Sequence, residues 1–526
     1  MDRPKRVIVI GAGPGGLASA LLLRKAGLEV TVVERQGIVG GRSRCIEAEG
    51  FRFDIGPTFF LYPRILEQIF AGAGFSLMDE VPMARLDPQY RIIFENGGEL
   101  QATGNMERMK RAIAALCPED ASKLDGFLAD NRQKFSAFTP TLQKPFQSWR
   151  DVLTPEMLRL LPLLRPWNSL DRELKRYFKD PRIRLAFSFQ SKYLGMSPFR
   201  CPGLFSILSF LEYEHGVFHP YGGCHAIMRK MAALGEEMGI EFILGQGVEE
   251  ILFSGRRAVG VRLANRSLRA DAILVNADFA NAMTHLVPDN LRRRWTNKKI
   301  ARARYSCSTF MLYLGLEGAA PPLAHHNIFL AENYRENLDD IDRRHVLSKK
   351  PSFYVQNACV TDSSLAPAGC CTLYALAPVS HMHSNINWAT QAPHFRQILL
   401  RQIQRLGITD VTDRIRFERM ITPADWQNSL SIYRSATFNL THDIGQMLHL
   451  RPRNRFDELA GVYLAGGGTH PGSGLPVIFE SSRITSRLLL EDLGYADQWQ
   501  EIAATMEKPE SVLRRTRQSP AVAIPA

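Results

Sequence analysis

The sequence predicts an α/β protein organised around a parallel sheet, and three stretches carry that prediction. Residues 6–35 read as strand, glycine turn, helix and strand. Residues 218–278 read as helix, strand and a β-meander, and residues 462–489 add a last strand, a second glycine-rich turn and a helix. The nucleotide-type segments are therefore discontinuous, with other material inserted between them.

The first unit is a compact βαβ module. RVIVI, residues 6–10, is a short β-branched run. Gly11-Ala12-Gly13-Pro14-Gly15-Gly16 supplies the turn, LASALLLRKAG is a helix closed by Gly27, and EVTVVER is the second strand. From Thr103 to about Arg200 this character gives way to helical patterning interrupted by proline. The α/β pattern returns at Phe218, and its meander turns tightly at Ser254-Gly255. A mixed region follows to about Arg455, and the Pro-rich basic tail, 507–526, has the composition of a disordered segment. No repeat of 20 to 50 residues is present.

With 526 residues, 45% hydrophobic and 22% charged, the chain is long enough for two or more sizeable cores. It has no uncharged apolar stretch near 20 residues, which argues against a spanning helix. Arg3, Lys5 and Arg6 precede an apolar run as in a secretory signal, but that run contains GAGPGG and no small-residue cleavage site, so a cytoplasmic start is expected. Eight scattered cysteines without a CxxC pair point to free thiols. The pairs His325/His326 and His381/His383 lack a partner cluster with zinc spacing, so no metal is expected. The net charge of +12 is spread through helical segments without a nucleic-acid-binding motif, so no nucleic-acid partner is expected. An anionic membrane surface fits better, because basic and apolar residues interleave most densely between about 150 and 200.

Gly11, Gly13 and Gly16 fit GxGxxG between strand and helix. The first permits the tight turn, the second lets backbone approach a pyrophosphate, and the third lets the helix pack on the strand. Glu34 closes the next strand, where a carboxylate can bond a ribose 2′-OH, and a carboxylate disfavours a 2′-phosphate. That leaves NAD or FAD. GIVGGRSRC, residues 37–45, then places more glycines and Arg42 just beyond the second strand, as an extended flavin dinucleotide requires and a nicotinamide cofactor does not. The expected cofactor is FAD.

These features, together with Asp54-Ile55-Gly56-Pro57, Tyr221-Gly222-Gly223, QGVEEILFSGRRAVGVRL, ADAILVNAD, ATFNLTHDIGQMLHLRPRNR and YLAGGGTHPGSGLPVIFESSRIT, resemble the phytoene desaturase-like branch of the flavin amine oxidase superfamily, the carotenoid desaturases. The resemblance runs from end to end. It implies a GR2-type flavoprotein with a discontinuous Rossmann-like FAD-binding domain (1–75, 218–290 and 455–498) and an inserted substrate-binding α+β domain (76–140 and 291–454). The helical region at 141–217, with its interleaved basic and apolar residues, is expected to form a lid or membrane-contacting region. Carried over by residue, Gly41 and Arg42 match a phosphate contact, and Val248 matches the residue whose backbone meets the adenine. Gly467 and the backbone of Leu475, Pro476 and Val477 match the segment at the ribityl chain and flavin ring. Gly467 and Gly468 stand where relatives often carry an acidic residue, so no side-chain contact to the ribityl group is expected there. His470 is read either beside the flavin or as a turn histidine bonded to backbone.

No GxSxG elbow, HExxH pair or P-loop is present, which removes the commonest hydrolase and NTPase routes. The resemblance implies FAD-dependent desaturation of a linear isoprenoid polyene such as phytoene or its shorter diapo analogue, with quinone or oxygen as electron acceptor. A carotenoid oxygenase, a saturase, or a flavin-free prenyl-lipid-binding chaperone are alternatives on the same fold. The sequence names no catalytic residue. A polyene dissolves in the bilayer, so the enzyme is expected on the inner face of the cell membrane. From Lys144 to Arg200 twelve Lys/Arg stand against five Asp/Glu, and MLRLLPLLRPW sets Leu and Trp beside arginine. Arg159, Arg165 and Arg172 are the expected membrane-facing charges.

Overall fold

In the computed structural model residues 3–507 are described, so all but the first residue of the tail at 507–526 lies outside them. Five parallel strands form the first sheet, in the order Glu241–Leu244, Glu29–Glu34, Arg6–Ile10, Ala272–Val275, Val462–Leu464. Strands from the beginning, middle and end of the chain thus meet in one sheet. The alternation in RVIVI shows why the run is β-branched throughout. Val7 and Val9 face the helices Pro14–Lys25, Cys224–Glu237 and Leu475–Leu493, while Ile8 and Ile10 face the meander of residues 250–269. Both faces are covered, as parallel sheets require.

The second sheet has seven strands: Ile415–Ile421, Ser308–Glu317, Cys370–Val379, Phe353–Gln356, His326–Leu330, Tyr90–Phe94 and Glu99–Ala102. All its pairings are antiparallel except that of His326–Leu330 with Tyr90–Phe94. Helices including Leu124–Leu142 and Ile207–His215 fill the space beside it, around a core that contains Tyr90, Phe127, Phe178 and Phe187, and the helix Pro155–Leu164 packs through Leu160 and Leu164 in a smaller cluster with Phe138 and Leu204.

Two tyrosines of this sheet pin the segment that leaves the strand Phe51–Asp54. Tyr313 donates to the carbonyl of Ile55 at 2.6 Å, and Tyr374 to that of Gly56 at 2.9 Å. The Asp54 carboxylate caps the helix Cys224–Glu237 from a distance in sequence, accepting the N–H groups of Cys224 (2.8 Å) and His225 (2.9 Å). The two layers are fastened together just where the cavity described below opens between them.

The helical insert corrects the expectation for Arg165. Its guanidinium donates to Glu173 at 2.7 Å and to Asp130 at 2.9 Å, and Lys134 joins the same two carboxylates at 2.9 and 2.8 Å. The Lys134 and Glu173 side chains are wholly enclosed. Arg176, Lys179, Arg182, Arg184 and Arg200 also bind carboxylates of the fold. A charge count cannot say which charges fold inward into such ion pairs. Arg159 and Arg172 are exposed. Trp149 (59%), Leu153, Leu158, Leu161 and Trp167 (64%) are exposed around the helix Pro155–Leu164. Among the described residues no helix is long and apolar enough to cross a membrane.

Candidate cofactor and substrate cavity

One continuous cavity of about 630 Å³ lies between the two sheets and reaches ten of the eleven residues anticipated from sequence: Gly11, Gly13, Glu34, Gly41, Arg42, Val248, Gly467, Leu475, Pro476 and Val477. Gly16 is the exception, and it acts one layer back. A Cβ there would fall 2.1 Å from the carbonyl oxygen of Gly11, so only glycine lets the helix Pro14–Lys25 seat against the strand end. Gly11 itself has φ +99°, a left-handed conformation that glycine adopts freely.

The polar end of the cavity is built from backbone. The helices Pro14–Lys25 and Leu475–Leu493 both begin at its wall, each with proline in the first turn, and the Ser482 hydroxyl joins them by donating to the carbonyl of Gly15 at 2.9 Å. Two helix N-termini thus turn positive dipole ends and free N–H groups toward one space. Glu34 is buried at the end of its strand. One of its carboxylate oxygens accepts the N–H of Ala12 at 2.8 Å and the other that of Gln36 at 2.9 Å. An ionised carboxylate has about four acceptor positions, so capacity for ribose hydroxyls remains.

Arg42 is held more firmly than a surface phosphate clamp. It donates to the carbonyl of Thr437 at 2.5 Å and lies 3.9 Å from Asp278; with its amide turned over, Asn439 would accept from Arg42 and donate to Asp278. Burial lowers the Arg42 pKa and raises that of Asp278, each opposed by the charge of the other. Asn276, Ala277 and Asp278 follow the strand Ala272–Val275 and line the cavity, and the Asn276 amide donates to the carbonyl of Gly11 at 3.2 Å. These residues escaped the sequence reading as site residues. The signal was their place at the carboxyl end of a parallel strand, where α/β sheets bind ligands.

Behind the second glycine stretch lies a fully buried guanidinium. Arg451 donates to the carbonyls of Gly467 (2.8 Å), Thr469 (3.1 Å), Leu440, Thr441 and Gln446. Burial pushes its pKa down to about 9. Here the RPRN motif finds its use: one side chain shapes the GGGTH backbone. His442 accepts the N–H of Ser473 at 3.0 Å and lines the cavity, whereas His470 packs its ring against Phe146, away from the wall.

The remainder of the wall is mostly apolar, with Thr58, Lys192, Tyr193, Asn337, Ser352 and Tyr354 among its polar exceptions. Phe135, Phe138, Phe189, Phe205 and Leu208 come from the helical insert, and Met311, Ile328, Phe329 and Leu376 from the seven-stranded sheet. Pockets of this size that are mostly apolar with a few placed polar groups suit small ligands. The ribose-ready carboxylate, the glycine walls and the two helix N-termini fit FAD, and the apolar extension fits a hydrocarbon beside it.

A dinucleotide cradle that opens directly into an oily chamber defines a flavin-dependent oxidoreductase acting on an apolar substrate. The comparisons agree: residues 14–490 match the flavin containing amine oxidoreductase family. The chain belongs to that family, in its carotenoid-desaturase branch, and is an FAD-dependent oxidoreductase. It is 40% identical to a 4,4′-diapophytoene desaturase (4,4′-diapolycopene-forming) of Methylomonas sp over 93% of this chain and 96% of the relative. It is 39% identical to an all-trans-zeta-carotene desaturase of Myxococcus xanthus over 93% and 94%. With a lycopene-forming phytoene desaturase of Pseudescherichia vulneris the identity is 34%, over 93% of this chain and 100% of the relative. Among solved structures, an oxidoreductase from Methanosarcina mazei shares the fold with a TM-score of 0.56 at 18% identity, covering 91% of this chain and 98% of that one. A putrescine oxidase bound to putrescine does so at 0.57 and 14%, covering 94% and 99%.

Proposed function

We propose that this protein desaturates a linear isoprenoid polyene of the phytoene or diapophytoene kind, using FAD. The observation that carries the reading is the single cavity shared by the dinucleotide cradle and the apolar chamber. Gly11, Gly13 and Gly41 flank the pyrophosphate position, Glu34 and Val248 hold the adenosine end, and Gly467 with Leu475–Val477 approach the flavin end. Bound FAD supplies a two-electron acceptor for hydride. The protein excludes water from the chamber, protecting the allylic cationic character that hydride loss creates, and its aromatic walls hold the chain in line. Quinone or oxygen takes the electrons onward.

The relative of Methylomonas sp favours a C30 substrate. Expression in cells that accumulate either diapophytoene or phytoene tests this, with conjugated pigment expected from one or both. Colourless extracts from both, with flavin-loaded protein present, would refute the desaturase reading and leave oxygenase or saturase chemistry to be assayed.

The protein works at the inner face of the cell membrane in this reading. Support comes from exposed Trp149, Leu158, Leu161 and Trp167, with Lys144, Arg150, Arg159 and Arg172 nearby in sequence. Aromatic, aliphatic and basic side chains in such a mixture suit an anionic interface. Charge reversal at Arg150, Arg159 and Arg172 is expected to weaken sedimentation with anionic liposomes severalfold. Unchanged sedimentation would remove the membrane role from this surface.

A further inference from the structure

Desaturation releases a proton as well as a hydride, and the apolar chamber offers that proton little solvent. Its wall carries a few polar side chains, Lys192, Tyr193, Asn337 and Ser352 among them, and at Thr58 and Tyr354 two hydroxyl oxygens lie 2.9 Å apart. The place is the seam between the cofactor half and the polyene half. Gly56 packs so closely beneath Arg42 that a Cβ would fall 2.4 Å from the Arg42 carbonyl oxygen.

Behind these two hydroxyls the polar groups continue. The Tyr354 hydroxyl is 2.7 Å from Nδ1 of His326, and the His326 ring is locked by stacking on Phe59, with centroids 3.9 Å apart and planes at 14°. His325 follows at 4.4 Å from His326 and 4.6 Å from His219, centroid to centroid. Nδ1 of His325 lies 2.8 Å from the Thr361 hydroxyl, and its Nε2 is 3.2 Å from the Gln356 amide. Nε2 of His219 lies 3.4 Å from the Asp362 carboxylate, which also accepts the N–H of Gly222 at 2.7 Å and the Ser364 hydroxyl at 2.6 Å. Ser363 and Ser364 are exposed. Two buried ring nitrogens, Nε2 of His326 and Nδ1 of His219, have no protein partner, a costly arrangement in a merely structural cluster. Beside His219 a second cavity of about 10 Å³, edged by Asp54, Arg52 and Gln356, has room for about one water molecule.

We propose that Thr58, Tyr354, His326, His325, His219 and Asp362 form a proton-exit path from the reacting carbon to solvent. The proposal rests on the desaturase reading. FAD, when bound, would supply the acceptor for one substrate hydrogen as hydride, with both electrons of its C–H bond. The neighbouring carbon loses a proton, and the electron pair of that bond becomes the new π bond. The Tyr354 oxygen takes the proton as its own hydroxyl proton moves to Nδ1 of His326. His326 then discharges from Nε2. No hydrogen bond joins the three rings directly and both nitrogens of His325 are engaged by Thr361 and Gln356, so bridging water carries the proton past His325 to His219, and Asp362 passes it to solvent, one proton per double bond. Burial holds His325 and His326 neutral, with pKa values well below the usual histidine range, so neither ring retains the proton. Burial alone would raise the Asp362 carboxyl, but its hydrogen bonds from His219, Gly222 and Ser364 hold it well below the usual range as an ionised terminus.

The test is anaerobic stopped-flow on the FAD-loaded chain with diapophytoene or phytoene in micelles, following flavin reduction together with proton release to an indicator dye. The wild type should release one proton in step with flavin reduction. Tyr354→Phe, which removes one oxygen and keeps the packing, should reduce its flavin at least about 100-fold more slowly at unchanged polyene affinity and FAD content, the scale of general acid–base catalysis. In His219→Gln, proton release should lag flavin reduction at least tenfold, an uncoupling that a packing role would not produce. Wild-type flavin reduction in Tyr354→Phe, or synchronous proton release in His219→Gln, would overturn the path and leave the desaturase reading intact. Failure of the wild type to reduce flavin with either polyene would overturn both. Should His219→Gln lose FAD, Tyr354→Phe decides alone.

Discussion

Replacing Gly13 by alanine separates the ligand's claim on this glycine from the protein's own. Its backbone, φ −77° and ψ 177°, is open to any residue, and the nearest protein atom to an added Cβ is the Asn276 amide nitrogen at 3.1 Å. A small movement of that amide relieves the contact. Alanine is a poorer N-cap than glycine, but it lowers the entropy of the unfolded chain, so the net effect on the apoprotein is within about 1 kcal/mol. The methyl group instead occupies the cavity wall where, in the proposed binding mode, a pyrophosphate approaches the helix N-terminus. The expected result is a folded, colourless protein that lacks the stabilisation conferred by ligand, about 2.7 kcal/mol at FAD one hundred times its Kd. Flavin absorbance per chain after gel filtration, and thermal unfolding with and without added FAD, measure both effects. Added FAD should raise the Tm of the wild type and leave that of Gly13→Ala unmoved. Gly16→Ala is the contrasting control: with a Cβ 2.1 Å from a backbone oxygen, it should destabilise the apoprotein itself. Gly13→Ala with a full complement of FAD would refute the reasoning.

Other expectations concern the scaffold. Burial raises the Asp54 pKa from 3.8 to about 6, against the two N–H bonds it accepts and the nearby His219. The folded state therefore favours its protonated form, so the Asp54 contribution to stability falls as pH rises from about 4 to 6 and is constant above. Denaturant titrations of the wild type and Asp54→Asn across this range should show their difference changing in that window. Glu173→Gln leaves Lys134 enclosed with fewer acceptors and should cost about 3–5 kcal/mol in urea unfolding, as when one partner of a buried ion pair is removed. Arg451→Met strips the donor from five carbonyls and should release flavin as well as lower the Tm, since the GGGTH backbone loses its brace. Retention of flavin in that variant would separate Arg451 from the cofactor wall.

Local chemistry made much of this legible in the sequence. GAGPGG, the carboxylate of Glu34 and the Gly-Gly-Arg at 40–42 require particular backbone freedom and charge at fixed spacings along one βαβ unit, so their meaning travels with the sequence. The second glycine stretch was readable because it lies between a strand and a helix. The helical insert was readable only in outline: a ratio of basic to acidic residues does not reveal that Arg165 turns inward to Glu173, because that choice depends on which short helices pack together.

The sequence by itself determined the parallel-sheet class, the dinucleotide cradle and the flavin it holds, since each depends on contacts within a few dozen residues. Tertiary structure alone brought Asp278 and Thr437 to Arg42, placed Arg451 behind Gly467, and aligned His219 with His325 and His326. Those partners come from separate segments whose side chains have ordinary neighbours in sequence. Only the closure of one sheet against the other, over a mostly apolar chamber, brings them together.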